Sequence, residues 1–349
     1  MRAGEEGTSD GLDNGRAGTR NRPVKAFIVG GTGFIGYHAA LACLAGGHRV
    51  DSVSLPDIEL GDWFPAAAGV AYGDVFRMGE DKLTDLFRGA DAMVYAVRPD
   101  ERIVPTGSAY EFFHERLVVS CTRVIRCARM AGVRKAVICG SYFCHFDRRW
   151  PEKRIAERNP YVRCRVEQAR AAIHEGRGEM DVCILELPFI FGSMPERVPL
   201  WKEVIADRFF HLPVVFSAEG GNAMVSVRTV AQAIVGAIEH GEHGARYPIG
   251  DVNVTHRQML RIMMAGYGIK RPIVTIPRPL LAIAGALIKR RQRAAGREGG
   301  LDLAFYLKCL FPEYLTYDAE SLSKRTLGYQ GGDVREAILE TMAACRRAD

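Results

Sequence analysis

The chain has 349 residues, 48% of them hydrophobic, and a formal net charge of +6. That is ample for one large α/β domain with a smaller partner domain. No long basic block is interleaved with aromatics, which argues against a nucleic-acid partner, and no apolar run approaches the ~20 residues of a bilayer span.

Residues 1–22 are rich in Gly, Asp, Glu, Arg, Asn and Thr and almost free of apolar side chains. Such a segment cannot bury a core, so a disordered tail is expected there, with no secretory signal. The nine cysteines are scattered without a C-x-x-C pair or a His cluster at metal spacing. They read as reduced, mostly buried thiols of a cytoplasmic protein, and no metal site is expected.

Val24 to Val29 is a short apolar run, suited to a buried parallel strand. Gly30, Gly33 and Gly36 follow it, and Tyr37 to Gly46 then reads as a helix rich in Ala and Leu. Strand, glycine turn and helix make a phosphate cradle. Gly30 permits the sharp turn, Gly33 keeps no side chain between backbone and pyrophosphate, and Gly36 lets helix and strand approach. The helix N–H groups and dipole then face the anion.

The wording Gly30-Gly31-Thr32-Gly33-Phe34-Ile35-Gly36 resembles the extended short-chain dehydrogenase/reductase family. That family includes NAD-dependent sugar-nucleotide epimerases and dehydratases and 3β-hydroxysteroid dehydrogenase-like enzymes. The resemblance runs from about Val24 to the C-terminus. It implies a Rossmann-type, doubly wound parallel sheet with a smaller C-terminal substrate lobe. The dinucleotide-binding domain would be 23–192 with a return segment at about 223–252, and the lobe 193–222 and 253–349.

His48 to Leu55 reads as the second strand. An acid about 20 residues beyond the glycines often binds the adenosine ribose; the resemblance puts Ser54 there, followed by Leu55. Neither is an acid favouring NAD nor an arginine favouring NADP, so the cofactor reads as NAD(P). Val70 to Tyr72 is the third strand, followed by Gly73-Asp74-Val75. The resemblance implies that Asp74 and Val75 lie near the adenine; Asp74 equally suits a cap of the next segment. Asp81 to Arg88 looks helical, and Ala92 to Val97 is a buried strand whose Ala96 end would lie beside the cofactor. Tyr110 to Ala131 is a long helical pattern. In the family this helix often packs in a dimer, so a homodimer is an open reading, and Val118 stands where a supporting asparagine is usual.

Arg134 to Cys139 is the next strand, delivering Ser141 at its C-terminal end. The family's catalytic serine or threonine corresponds to Ser141, and its Tyr-x-x-x-Lys pair to Tyr161 and Arg165. Spacing i, i+4 puts the two on one helical face. The resemblance implies that Tyr161 passes a proton to or from the substrate oxygen, Ser141 hydrogen-bonds it, and the basic residue holds ribose and lowers the tyrosine pKa. Arg165 keeps the charge but cannot readily release a proton. His114 and His145 read as structural.

Asp181 to Leu187 reads as a strand running into Pro188-Phe189-Ile190-Phe191-Gly192. This resembles the family's segment lining the nicotinamide, with Pro188 and Ile190 beside the cofactor and Leu187 where an arginine is usual. Ala223 to Glu239 resembles the strand-then-helix return, with Arg228 in place of an aspartate. Arg246 to Gly250 reads as a strand and His256 to Gly266 as a helix. Leu280 to Ile288, ending in Lys289-Arg290-Arg291-Gln292-Arg293, reads as a buried helix with a solvated basic end. Contact of 280–293 with an anionic membrane surface is the minor alternative. Asp318 to Leu327 and Val334 to Cys345 complete the helices.

The resulting expectation is an NAD(P)-dependent oxidoreductase acting on a carbonyl or alcohol of a small molecule, hydrophobic ones included. Sugar-nucleotide epimerase or dehydratase activity is the first alternative. The substitutions at Val118, Arg165, Leu187 and Arg228 motivate another: a dinucleotide-binding sensor or assembly protein without chemistry.

Overall fold

The computed structural model describes residues 22–348; the tail expected at the N-terminus lies, but for Arg22, outside them. Thirteen strands form among the described residues. In chain order they are β1 (Lys25–Val29), β2 (Arg49–Ser54), β3 (Ala68–Tyr72), β4 (Ala92–Tyr95), β5 (Lys135–Cys139), β6 (Asp181–Glu186), β7 (Phe189–Phe191), β8 (Val215–Ser217), β9 (Gly221–Ser226), β10 (Arg246–Pro248), β11 (Val252–Thr255), β12 (Ile273–Thr275) and β13 (Tyr314–Leu315).

Seven of them make the main sheet, in the order β3-β2-β1-β4-β5-β6-β10, and every pair is parallel. This is the Rossmann-type α/β fold. Its strands are apolar runs because helices cover both faces. One face packs Ile28, Val94, Val137 and Leu185 against Ala39, Ala40 and Ile234. The other packs Phe27, Met93 and Ile138 against Leu83, Val124 and Ile125. The chain order reverses between β1 and β4, and the carboxyl ends of strands at such a switch point are where ligands bind in open α/β sheets.

A second sheet has β9 at its centre, parallel to β7 and β13 and antiparallel to β11. β8 and β12 form a separate parallel pair. The helix Val227–His240 follows β9 and packs along the helix Phe34–Ala45. Arg228, on the first of these, pairs with Asp333 at 2.9 Å and Glu340 at 2.8 Å, clamping it to the C-terminal helix Val334–Arg347.

Three expectations need correction. Tyr110 to Ala131 is not uniform: α-helix at Ala109–Phe113 and Ser120–Met130 flanks a π-helical turn at His114–Val119 that contains Val118. The helix expected from Asp318 is two short turns, Ala319–Ser321 and Lys324–Leu327, broken by extended backbone at Leu322. The helix Arg278–Ala294 forms, but of its residues only Leu281 and Gly285 are buried. It touches the protein through one narrow stripe, where a Cβ on Gly285 would meet the Leu303 carbonyl oxygen at 2.4 Å.

The thiols are free among the described residues, and all but the half-buried Cys309 are buried. No helix among the described residues is long and apolar enough to cross a membrane.

Candidate functional site

The glycine turn joins β1 to the helix Phe34–Ala45. Gly30 has φ +89°, in the left-handed region, and a Cβ there would meet Val97 at 2.5 Å and the Ala96 carbonyl at 3.4 Å. The end of β4 therefore lies against the turn, and Ala96 donates its amide to the Val29 carbonyl. Gly36 sits deeper: a Cβ there would meet the Gly30 carbonyl oxygen at 2.1 Å. At Gly33 the only such neighbour within 4 Å among the described residues is the Gly30 carbonyl oxygen, at 3.2 Å, so its other side is open to them.

Gly33 is also the helix N-cap and supplies no side-chain cap, and no acid lies in the first turn. The first amides of a helix lack internal partners. Their open, uncapped end suits a bound anion. Phe34 and Ile35 are half-buried on that first turn. Thr32 and Ser54 are buried and share a hydrogen bond of 2.7 Å between their hydroxyls, tying the turn to the end of β2. The cradle thus fits a pyrophosphate-bearing cofactor.

Asp74 closes its own turn: its carboxylate accepts from the Phe76 amide at 2.9 Å, and Arg77 lies 3.5 Å away. This local turn leaves the expected place of Asp74 near the adenine open, and the cap of the next helix, Glu80–Phe87, is Gly79. Val75 is buried, and its carbonyl accepts from Arg123. Pro188 is buried between β6 and β7, and the half-buried Ile190 accepts from the Trp201 indole at 3.0 Å through its carbonyl.

Tyr161 occupies the first turn of the helix Pro160–Gly176. Pro160 suits that start because a first-turn N–H has no helical partner. Asn159 precedes it, and its side chain accepts from the Asp302 amide at 2.9 Å. The Tyr161 amide donates to the Gly300 carbonyl at 2.9 Å. Both bonds dock 300–302 over the helix start. The Tyr161 ring is 2% exposed and meets Phe113 edge-on at 5.3 Å. Its hydroxyl has no hydrogen-bond partner among the described residues.

Arg165 lies one turn on, with its guanidinium carbon 5.9 Å from the Tyr161 ring centroid. It is buried and donates to Gln168 and to the Cys139 carbonyl, both at 2.7 Å, while its Nε has no partner. Cys139 ends β5, and Ser141 follows two residues later. Ser141 is buried and accepts from the Phe143 amide at 3.4 Å. Burial raises the Tyr161 pKa; Arg165 and Arg98 draw it back in part, and Glu101 opposes them. The phenol is a neutral donor near neutral pH.

Arg98 and Glu101 were missed in the sequence. They pair at 2.7 Å in the loop after β4, and both act electrostatically on Tyr161. The position of Arg98, just past the carboxyl end of a buried strand, is the signal that could have found it. Glu186 was also missed. Its carboxylate is fully buried at the end of β6, held by Arg148 at 2.8 Å and 3.6 Å from His145. Burial alone would raise its pKa, but His145 and Arg148 hold it below the ordinary value. His145 thus packs beside a buried carboxylate that Arg148 pairs with.

Over residues 26–250 the sequence matches the NAD dependent epimerase/dehydratase family, and the chain belongs to that family. No curated protein matches it. Among solved structures, the chain is similar to gox2253, with a TM-score of 0.74 at 20% identity over 93% of this chain and 98% of that one. PA4631, a nucleoside-diphosphate-sugar epimerase from Pseudomonas aeruginosa, gives 0.68 at 16% identity over 93% and 98%. The enzyme WbmH from Bordetella bronchiseptica, in complex with NAD+, gives 0.66 at 13% identity over 94% and 100%. At these identities the likeness is one of fold.

Proposed function

We propose that this chain is an NAD-dependent oxidoreductase acting at an alcohol or carbonyl carbon of a small molecule. The observation that carries this reading is Tyr161: a neutral phenol with no protein partner for its hydroxyl, influenced by two guanidinium groups. When bound, the nicotinamide supplies the hydride acceptor or donor. Thr32, Gly33, Phe34, Ile35 and Gly36 would hold the pyrophosphate, with Ala96, Pro188 and Ile190 toward the nicotinamide.

Tyr161 then donates its proton to a carbonyl oxygen, or takes one from an alcohol in the reverse direction. Ser141 orients that oxygen. Arg165 supplies positive charge that favours the tyrosinate when it forms. Epimerase or dehydratase chemistry on a nucleotide sugar uses the same machinery, and the family supports it as the first alternative.

One observation favours a second reading, a dinucleotide-binding protein without chemistry. Arg165 already donates to Cys139 and Gln168, where a ribose-holding lysine is usual.

The test is a fluorescence titration with NADH and NADPH, then oxidation of the tighter-binding cofactor by a panel of ketones, quinones and nucleotide sugars. Binding with turnover supports the oxidoreductase, and a turned-over nucleotide sugar names the alternative. Binding with uniform silence favours the second reading. Binding of neither cofactor overturns both.

A further inference from the structure

The helix Arg278–Ala294 is amphipathic in the wrong sense for a buried element. At 100° per residue, Leu280, Ile283, Ala284, Leu287, Arg291 and Ala294 share its outer side. Leu280 is 55% exposed, Ile283 57% and Leu287 53%, and Ile288 beside them is also exposed. Pro279 to Ile288 contains no charged or polar side chain. The approach to the helix adds Val274 and its ladder partner Phe216, both about half exposed. Soluble surfaces carry single exposed apolar side chains routinely; a contiguous row marks a contact.

The charge around the row is one-sided. Between Asp251 and Glu298 the chain has ten Lys and Arg and no Asp or Glu. Lys289 pairs with Asp302, and Arg278 with Glu219 and Glu313. Arg290, Arg291 and Arg293 are exposed and make no ion pair among the described residues. An apolar row ending in unpaired guanidinium groups complements a surface with an apolar interior and an anionic rim.

We propose that this helix docks on an anionic lipid surface, with Leu280, Ile283, Leu287 and Ile288 entering the acyl boundary and Arg290, Arg291 and Arg293 facing lipid phosphates. With 17 residues and a charged last turn, the helix lies in the interface and does not span it. Its C-terminal end leads within a few residues to Gly300, the acceptor for the Tyr161 amide. A short stretch of chain and one hydrogen bond therefore connect the docked helix to the start of the tyrosine helix.

The test is flotation of the full chain with vesicles of phosphatidylglycerol and phosphatidylcholine, and with phosphatidylcholine alone. The docked helix predicts binding to the anionic vesicles only, weakened by salt. A variant with Leu280, Ile283 and Leu287 changed to Ser loses binding roughly tenfold or more, and so does one with Arg290, Arg291 and Arg293 changed to Ser. All six side chains are exposed, and circular dichroism confirms that the variants fold. Protein that stays in the soluble fraction with anionic vesicles overturns the proposal. So does equal binding to both vesicles. A dimer in light scattering that the leucine and isoleucine changes dissolve also overturns it, because a second copy would then cover the face.

Discussion

Arg165 donates a hydrogen bond of 2.7 Å to the carbonyl oxygen of Cys139. A side chain four residues after the tyrosine is thereby fastened to the end of β5, just before Ser141. Arginine can do this because its fork carries several donors in one plane; it serves Gln168 at the same time. Removing it leaves two buried acceptors without their charged donor. Arg165→Met should lower stability by about 1–3 kcal/mol, read as a shifted urea midpoint. It should also move the alkaline limb of the kcat/KM profile to higher pH, because a positive neighbour that favours the tyrosinate is gone. Arg165→Lys keeps the charge, so its limb should stay nearer the parent's. An unmoved limb in the Met variant would remove Arg165 from the electrostatics of Tyr161.

Tyr161→Phe deletes only the hydroxyl, which has no protein partner among the described residues. Stability should change little. Turnover on whatever substrate the panel identifies should fall roughly 100-fold or more, the scale of acid–base catalysis, while NADH affinity holds. Unchanged turnover would take Tyr161 out of the reaction.

Gly36→Ala puts a methyl 2.1 Å from the Gly30 carbonyl oxygen. The opposing atom is backbone, so the helix must move off the turn, at about 1–3 kcal/mol. The same shift misaligns the uncapped amides. NADH titration should show affinity reduced tenfold or more, alongside a lower melting temperature. Parent-like affinity would mean that this turn does not hold the cofactor.

The buried thiols make stability fall in alkali. Burial pushes Cys121, Cys139 and Cys144 from the ordinary 9.0 up to about 12. Between those values the unfolded chain has released protons that the folded chain retains. Their contribution is complete below pH 9 and is lost as pH rises, each thiol costing on the order of 1 kcal/mol by about pH 10. Urea midpoints measured from about pH 8 to about pH 10 should decline steadily. A flat profile would show that these thiols reach solvent in the folded state.

The sequence was most legible where one local rule decides the outcome. Gly30 and Gly36 declare themselves because the fold bars side chains there, and Gly33 by its spacing between them. β1, β4 and β5 do so because buried parallel strands are unbroken apolar runs. Arg228 was less legible. It looked like a plain departure, yet it bridges to Asp333 and Glu340, more than a hundred residues away, which no local pattern encodes. Glu186 hid for the same reason: a charge at a strand end reads as solvated until His145 and Arg148 are folded against it. Leu280 to Ile288 failed in the opposite direction. Apolar composition states a preference for burial, but only the tertiary arrangement decides whether a protein surface arrives to satisfy it.

The bond from the Tyr161 amide to the Gly300 carbonyl has a consequence for how the protein is made. Strands β1 to β6 can assemble while the ribosome is still translating the last third of the chain, since domains fold as units during synthesis. The first turn of the tyrosine helix cannot be completed then, because its acceptor lies at residue 300. A nascent or truncated chain ending before that point would carry a formed nucleotide cradle and an unfinished tyrosine. The order of synthesis therefore arms the cradle first and the tyrosine last.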